Sequence, residues 1–236
     1  MKRITKISII LFLTVLSLDS FAQNTRKPDT KICSCKGNSL VKDNVGCDTI
    51  RFKNNAFIYW QYNCDSTWLT FENTGVQKIM YSLEAPLIEL KGRIGYIFVK
   101  EYQDKLLFIN KKASGGGFPV DYEILDKNNG QILEELGTII YFSDSTFNNY
   151  ILYISSDSLE TLTYYNISNS TKFNYPIPKG RLWKTVTESN QMHPEFLFDD
   201  PIIVNNILTL SYKYLISDSP NQWSQDKIFI DLKQTQ

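Results

Sequence analysis

The chain has 236 residues, with 25 basic and 25 acidic side chains, one histidine and four cysteines. Zero formal charge leaves no basic excess for a nucleic-acid groove or a polybasic membrane face. A single histidine excludes a histidine-rich metal centre.

The chain begins with a predicted export signal. Lys2, Arg3 and Lys6 form a basic start, and an apolar run extends from Ile7 to Leu18. Ser20 and Ala22 supply small residues for cleavage before Gln23, so residues 1–22 read as a signal peptide. The run falls short of the roughly 20 residues that span a bilayer. No cysteine follows it directly, which argues against a lipid-modified N-terminus. No later stretch is long and apolar enough to span a membrane. The expected mature chain is periplasmic or secreted, and slightly acidic.

Residues 23–47 read as a leader that carries cysteines, with 23–31 polar and flexible. Cys33, Cys35, Cys47 and Cys64 suit two disulfides in an oxidising compartment. A Cys33–Cys35 ring would be tiny and strained, so each is expected to bond Cys47 or Cys64. A four-thiolate zinc site is the rival, but the spacing lacks paired C-x-x-C knuckles.

From residue 48 to 236 the chain reads as one β domain with almost no helical periodicity. An unmatched strand, Asp48–Lys53, comes first. Four units follow. The first strand of each is predicted at Ala56–Tyr62, Gly95–Tyr102, Thr138–Ser143 and Phe196–Val204. The second contains Trp68–Glu72, Leu106–Asn110, Ile151–Ser155 and Ile207–Ser211. The third is predicted at Gln77–Leu83, Val120–Asp126, Thr161–Ile167 and Lys227–Leu232. A fourth is predicted at Pro86–Leu90, Gln131–Leu136 and Lys172–Ile177, with none in the last unit. Leu69, Leu107, Leu152 and Leu208 recur at intervals of 38, 45 and 56 residues. Residues 181–194 read as an inserted loop.

Asp126-Lys127-Asn128-Asn129-Gly130 before an apolar strand matches a tight hairpin, since Asn-Gly accepts positive φ. This turn and the strand order resemble those of β-propellers. The resemblance implies an all-β, four-unit ring, with Asp48–Lys53 closing the last blade beside Lys227–Leu232. No Trp-Asp, Kelch or aspartate-box motif specifies a family. A β-sandwich is the alternative architecture.

Candidate chemistry is sparse. Asp126–Gly130 lacks the ligand spacing of a calcium loop. Ser114-Gly115-Gly116-Gly117-Phe118-Pro119 lacks the lysine and helix of a phosphate loop, so no cofactor is expected. His193 has Glu188, Glu195, Asp199 and Asp200 near in sequence, but no serine sits in a nucleophile elbow. Asp199, Asp200, Glu134, Glu135, Glu101 and Asp104 are the candidate acid–base carboxylates. Tyr59, Trp60, Tyr62 and Trp68 suit a strand core, whereas Trp183 and Trp223 lie in polar surroundings. Trp183, His193 and Trp223 are therefore the candidate binding residues. Asn166-Ile167-Ser168 and Asn169-Ser170-Thr171 match glycosylation acceptors, but the signal peptide is of bacterial type.

The expected function is a non-enzymatic binding module of the bacterial envelope, with an unknown protein or glycan as partner. The alternatives are a polysaccharide- or peptide-acting hydrolase or lyase, and an envelope inhibitor or immunity-type protein.

Overall fold

The computed structural model describes residues 33–34, 45–91, 93–112, 120–143, 149–155, 159–189, 193–216 and 222–234. The predicted signal peptide, most of the expected leader with Cys35, and Ser114–Pro119 lie outside the described residues.

The described chain is all-β, with four antiparallel sheets and one α-helix. Sheet 1 holds β1 (Thr49–Arg51), β2 (Phe57–Tyr62), β3 (Ser66–Asn73) and β4 (Val76–Glu84). Sheet 2 holds β5 (Gly95–Glu101), β6 (Lys105–Lys111), β7 (Asp121–Asp126) and β8 (Ile132–Leu136). Sheet 3 holds β9 (Thr138–Phe142), β10 (Tyr150–Ile154), β11 (Thr161–Asn166) and β12 (Thr171–Pro176). Sheet 4 holds β13 (Ile202–Val204), β14 (Ile207–Leu215) and β15 (Trp223–Asp231). Within each sheet the strands lie side by side in chain order. Helix α1 (Arg181–Glu188) stands between sheets 3 and 4 in sequence.

Consecutive sheets pack face to face through separate apolar clusters. Leu106, Phe108 and Leu125 of sheet 2 meet Ile58, Leu69 and Phe71 of sheet 1. The alternate residues Leu107 and Ile124 meet Ile151, Tyr153 and Tyr165 of sheet 3. Leu152, Leu162 and Tyr164, on the other face of sheet 3, meet Leu208, Leu210 and Ile230 of sheet 4. Side chains alternate across a strand, so one strand can serve two cores. This explains the unbroken apolar runs of β6 and β10, where Leu106–Phe108 and Ile151–Leu152 are all fully buried. In β14 the run alternates instead: Leu208, Leu210 and Tyr212 are buried, while Lys213 is exposed.

Four expectations are corrected. Asp48–Lys53 does not pair with the last unit. Its core, β1, pairs with β2 in sheet 1, with Thr49 opposite Tyr59. The reason is local: Phe52 N–H donates to the Ala56 carbonyl and Asn54 Oδ1 accepts from Ala56 N–H, closing a short hairpin. A short loop closes at less entropic cost than a return across the chain.

Pro86–Leu90 lies in a 3₁₀ turn, Ala85–Leu90, not a strand. Pro86 has no N–H to give a ladder and suits the first turn of a helix. Phe196–Val204 is a strand only from Ile202. Pro194 opens a second 3₁₀ turn, Pro194–Leu197, and Pro201 precedes β13. The 181–194 insertion holds α1 rather than a plain loop.

The Asp126–Gly130 hairpin is as expected. Gly130 N–H donates to the Asp126 carbonyl at 2.8 Å, and Asn128 N–H to Asp126 Oδ1 at 2.6 Å.

One bonded pair staples the start of the described chain. Cys33 and Cys47 form a disulfide, and Cys64 is also disulfide-bonded. Cys33 and Cys47 pack with Val45, Tyr62, Ile88 and Trp60 at one end of sheet 1. The bridge closes a loop with a sequence separation of 14 residues, which removes freedom mainly from the unfolded chain.

The passage from sheet 2 to sheet 3 depends on Gly137, the only residue between β8 and β9. A Cβ there would stand 1.8 Å from the Ile154 carbonyl oxygen. Gly137→Ala is expected to destabilise the protein by about 2 kcal/mol or more through forced overpacking. Gly75→Ala, in a turn with open space and φ of +75°, should cost only about 1 kcal/mol. Urea midpoints of the two variants measure the difference.

Candidate functional site

Three of the sequence-predicted residues fall on the last third of the chain, so its construction decides where they point. In α1, Leu182 and Thr185 are buried and Val186 packs on the sheet 3–sheet 4 core. Their spacing makes one apolar helix face. Trp183 lies on the other face and is 56% exposed.

Two polar contacts lock the helix onto sheet 4. Arg181 Nη1 donates to Asp226 Oδ2 at 2.6 Å and to the Tyr212 hydroxyl at 2.9 Å. Its guanidinium lies over the Tyr214 ring, 4.2 Å from the centroid, a stacking that favours arginine. Thr185 Oγ1 donates to the Arg181 carbonyl and accepts from Leu215 N–H at 3.0 Å. Leu215 in turn pairs across strands with Trp223, which is 46% exposed. Leu215 thus ties both the helix that carries Trp183 and the strand that begins at Trp223 to one end of sheet 4.

His193 stands elsewhere in the local architecture, just before the second 3₁₀ turn. Its Nδ1 lies 3.3 Å from Glu195 Oε1, and its ring packs on Phe196 at 5.5 Å. That turn lies against β9 and β14, whereas α1 lies against β14.

Four of the six candidate carboxylates, Glu134, Asp104, Asp199 and Glu101, stand in ion pairs. Glu134 accepts from Lys172 at 2.5 Å, and Asp104 from Lys105 at 3.0 Å. Asp199 accepts from Gln225 at 2.9 Å and has Lys213 at 3.7 Å. Glu135, like Glu134, lies on β8, and Asp200 directly precedes Pro201. Glu101 accepts from Lys127 at 2.5 Å and from Lys53 N–H at 2.7 Å. Burial pushes the Glu101 carboxyl up, and the bonds from Lys127 and Lys53 outweigh it, leaving the group below its ordinary range. A cavity of about 210 Å³ opens beside this pair, lined by Tyr102, Gln103, Asp104, Asn149, Ile167 and Ser168. Asp104 is the one carboxylate in its lining.

Two further buried polar groups lie inside the sheets. Glu123 is 5% exposed and accepts from the Tyr96 hydroxyl and from Asn110 at 2.7 Å. Burial first, then Glu123, pushes the Tyr96 hydroxyl far above its ordinary range. On sheet 1, burial and the Glu72 bond push Tyr59 up to about 12. Both tyrosines remain protonated donors that satisfy carboxylates inside a packed sheet.

Sequence reasoning missed the Arg181–Asp226–Tyr212 contact, which fixes Trp183 in place. The available signal was the 182, 185, 186 spacing after Gly180, which marks a short amphipathic helix. Asp226 lies 45 residues from Arg181, beyond any local pattern.

No protein-family model and no curated protein sequence matches this chain.

The Arg181 anchor has a defined pH dependence. The Asp226 carboxyl is held below its ordinary range by the Lys227 N–H and then by Arg181. A lowered carboxylate pKa contributes stability above the unfolded value of about 3.9 and loses it as pH falls through the folded value. Arg181→Ala should destabilise the protein by about 1 kcal/mol at pH 7. The gap between wild type and variant should stay constant from about pH 7 to pH 5 and narrow below about pH 4, leaving only the part due to the Tyr212 bond and the Tyr214 stacking. Urea denaturation at each pH gives the comparison.

Proposed function

We propose that the protein is an exported, non-enzymatic binding module, periplasmic or secreted, that holds a protein or glycan partner through the α1–sheet 4 end. One observation supports this reading above others: most of the exposed large apolar side chains among the described residues belong to the last unit of the chain. Trp183, Phe196, Ile202, Val204, Trp223 and Phe229 are between 46% and 71% exposed. Exposed apolar surface marks interaction sites where it forms patches. Tryptophans held on a rigid element are efficient contact residues, because little entropy is lost when they bind.

The Cys33–Cys47 disulfide fits export to an oxidising compartment. No helix among the described residues is long and apolar enough to cross a membrane. For the fold, our reading is an open series of propeller-like units, in which each antiparallel sheet stacks on the next.

The test is affinity capture from envelope extract, with tagged residues 23–236 as bait and disulfides intact. The expected result is one partner in near-stoichiometric yield, with capture reduced at least tenfold by Trp183→Ala combined with Trp223→Ala. Undiminished capture by that variant would overturn the proposed contact. No captured partner, together with activity in a glycosidase or peptidase screen, would overturn the binding reading.

A further inference from the structure

Among the described residues, sheet 4 has one strand fewer than sheet 3. In sheets 2 and 3 the third strands, β7 and β11, are paired on both sides, β7 with β8 and β11 with β12. The third strand of sheet 4, β15, pairs among the described residues only with β14. It is nine residues long, so it presents a long row of backbone donors and acceptors on its outer side.

The neighbouring sheet is built as if a strand stood there. β12 occupies the fourth position of sheet 3 and turns Phe173 and Tyr175 toward the core shared with sheet 4. Both rings are only half-buried. Tyr164 of β11, beside Phe173, and Ile230 of β15 lie in that same core and are almost fully buried. The aromatic surface therefore ends where sheet 4 lacks its outer strand. On the opposite face of β15, Lys227 and Phe229 are exposed, with Phe229 at 62%.

From this vacancy we propose that the free edge of β15 is a strand-addition site for an extended segment of a partner polypeptide. The segment would have apolar side chains at alternate positions, facing Phe173 and Tyr175. Its other face would place an acidic residue beside Lys227 and an apolar one beside Phe229. Backbone pairing supplies the affinity in such binding, and the alternate side chains supply the choice of partner. This inference rests on the binding-module reading and names its partner chemistry.

The experiment selects random decapeptides displayed on phage against tagged residues 23–236 with disulfides intact. Expected winners alternate apolar and polar residues. Their binding should fall at least tenfold with Phe229→Lys and with Tyr175→Glu. Bound peptide should slow deuterium uptake over 223–231. Lys227→Glu guards against a simple folding defect, because it should exchange a preference for acidic residues for one for basic residues at the facing position. No enrichment, binding indifferent to these variants, or protection mapped elsewhere would overturn the proposal. So would concentration-dependent self-association blocked by the same variants, which would assign the edge to a second copy. An envelope partner whose capture ignores Phe229→Lys would remove this site and leave the binding reading intact.

Discussion

Everything in this fold depends on strands that serve two cores at once. Leu106 and Phe108 of β6 face sheet 1, and Leu107 between them faces sheet 3. Ile151 of β10 faces sheet 2, and Leu152 faces sheet 4. Each such residue is fully removed from water, which stabilises by about 1.5–3 kcal/mol per side chain. A sheet with both faces covered needs neighbours on both sides, so the two central sheets hold the outer two in place. Substituting a charge at Leu107 would breach one core without touching the other.

The two ends of the series are finished differently. Sheet 1 carries buried, hydrogen-bonded polar groups on the face turned away from sheet 2. Gln61 Oε1 accepts from Trp68 and Thr70, and Tyr59 donates to Glu72. The disulfide-tied stretch around Cys33 and Cys47 packs at one end of that sheet. Sheet 4 presents Ile202, Val204 and Phe229 to solvent, and among the described residues β15 pairs only with β14. The α1 helix covers part of sheet 4 and is held there by Arg181, whose bonds reach both β14 and β15. Buried polar bonding on sheet 1 and exposed apolar side chains on sheet 4 therefore distinguish the first and last sheets.

Much of the strand order was legible in the sequence, because the four second strands share a strong apolar signature. Their differences carried information too. Leu106-Leu107-Phe108-Ile109 and Ile151-Leu152-Tyr153-Ile154 are continuous, whereas Trp68-Leu69-Thr70-Phe71-Glu72 and Ile207-Leu208-Thr209-Leu210-Ser211 alternate. Continuous runs mark sheets with apolar cores on both faces, whereas in β3 the alternate residue Thr70 is buried in a polar, hydrogen-bonded layer with Gln61. The pairing of β1 with β2 was hidden because Asp48–Lys53 is compatible with several neighbours, and the Asn54–Asn55 turn decides among them. For the candidate site, the exposure of Trp183 and Trp223 followed from their polar surroundings. Their shared tie to Leu215 did not, since it runs through a threonine hydroxyl and a strand register that no local pattern specifies.

The most direct test of this account is native-state hydrogen exchange, resolved by residue. Amides of β6 and β10, buried between two cores, should exchange only through global unfolding. Those of β13 and the outer side of β15 should exchange orders of magnitude faster, through local opening. Protection of β15 and β13 equal to that of β6 and β10 would contradict an open series of sheets and would point to a closed ring.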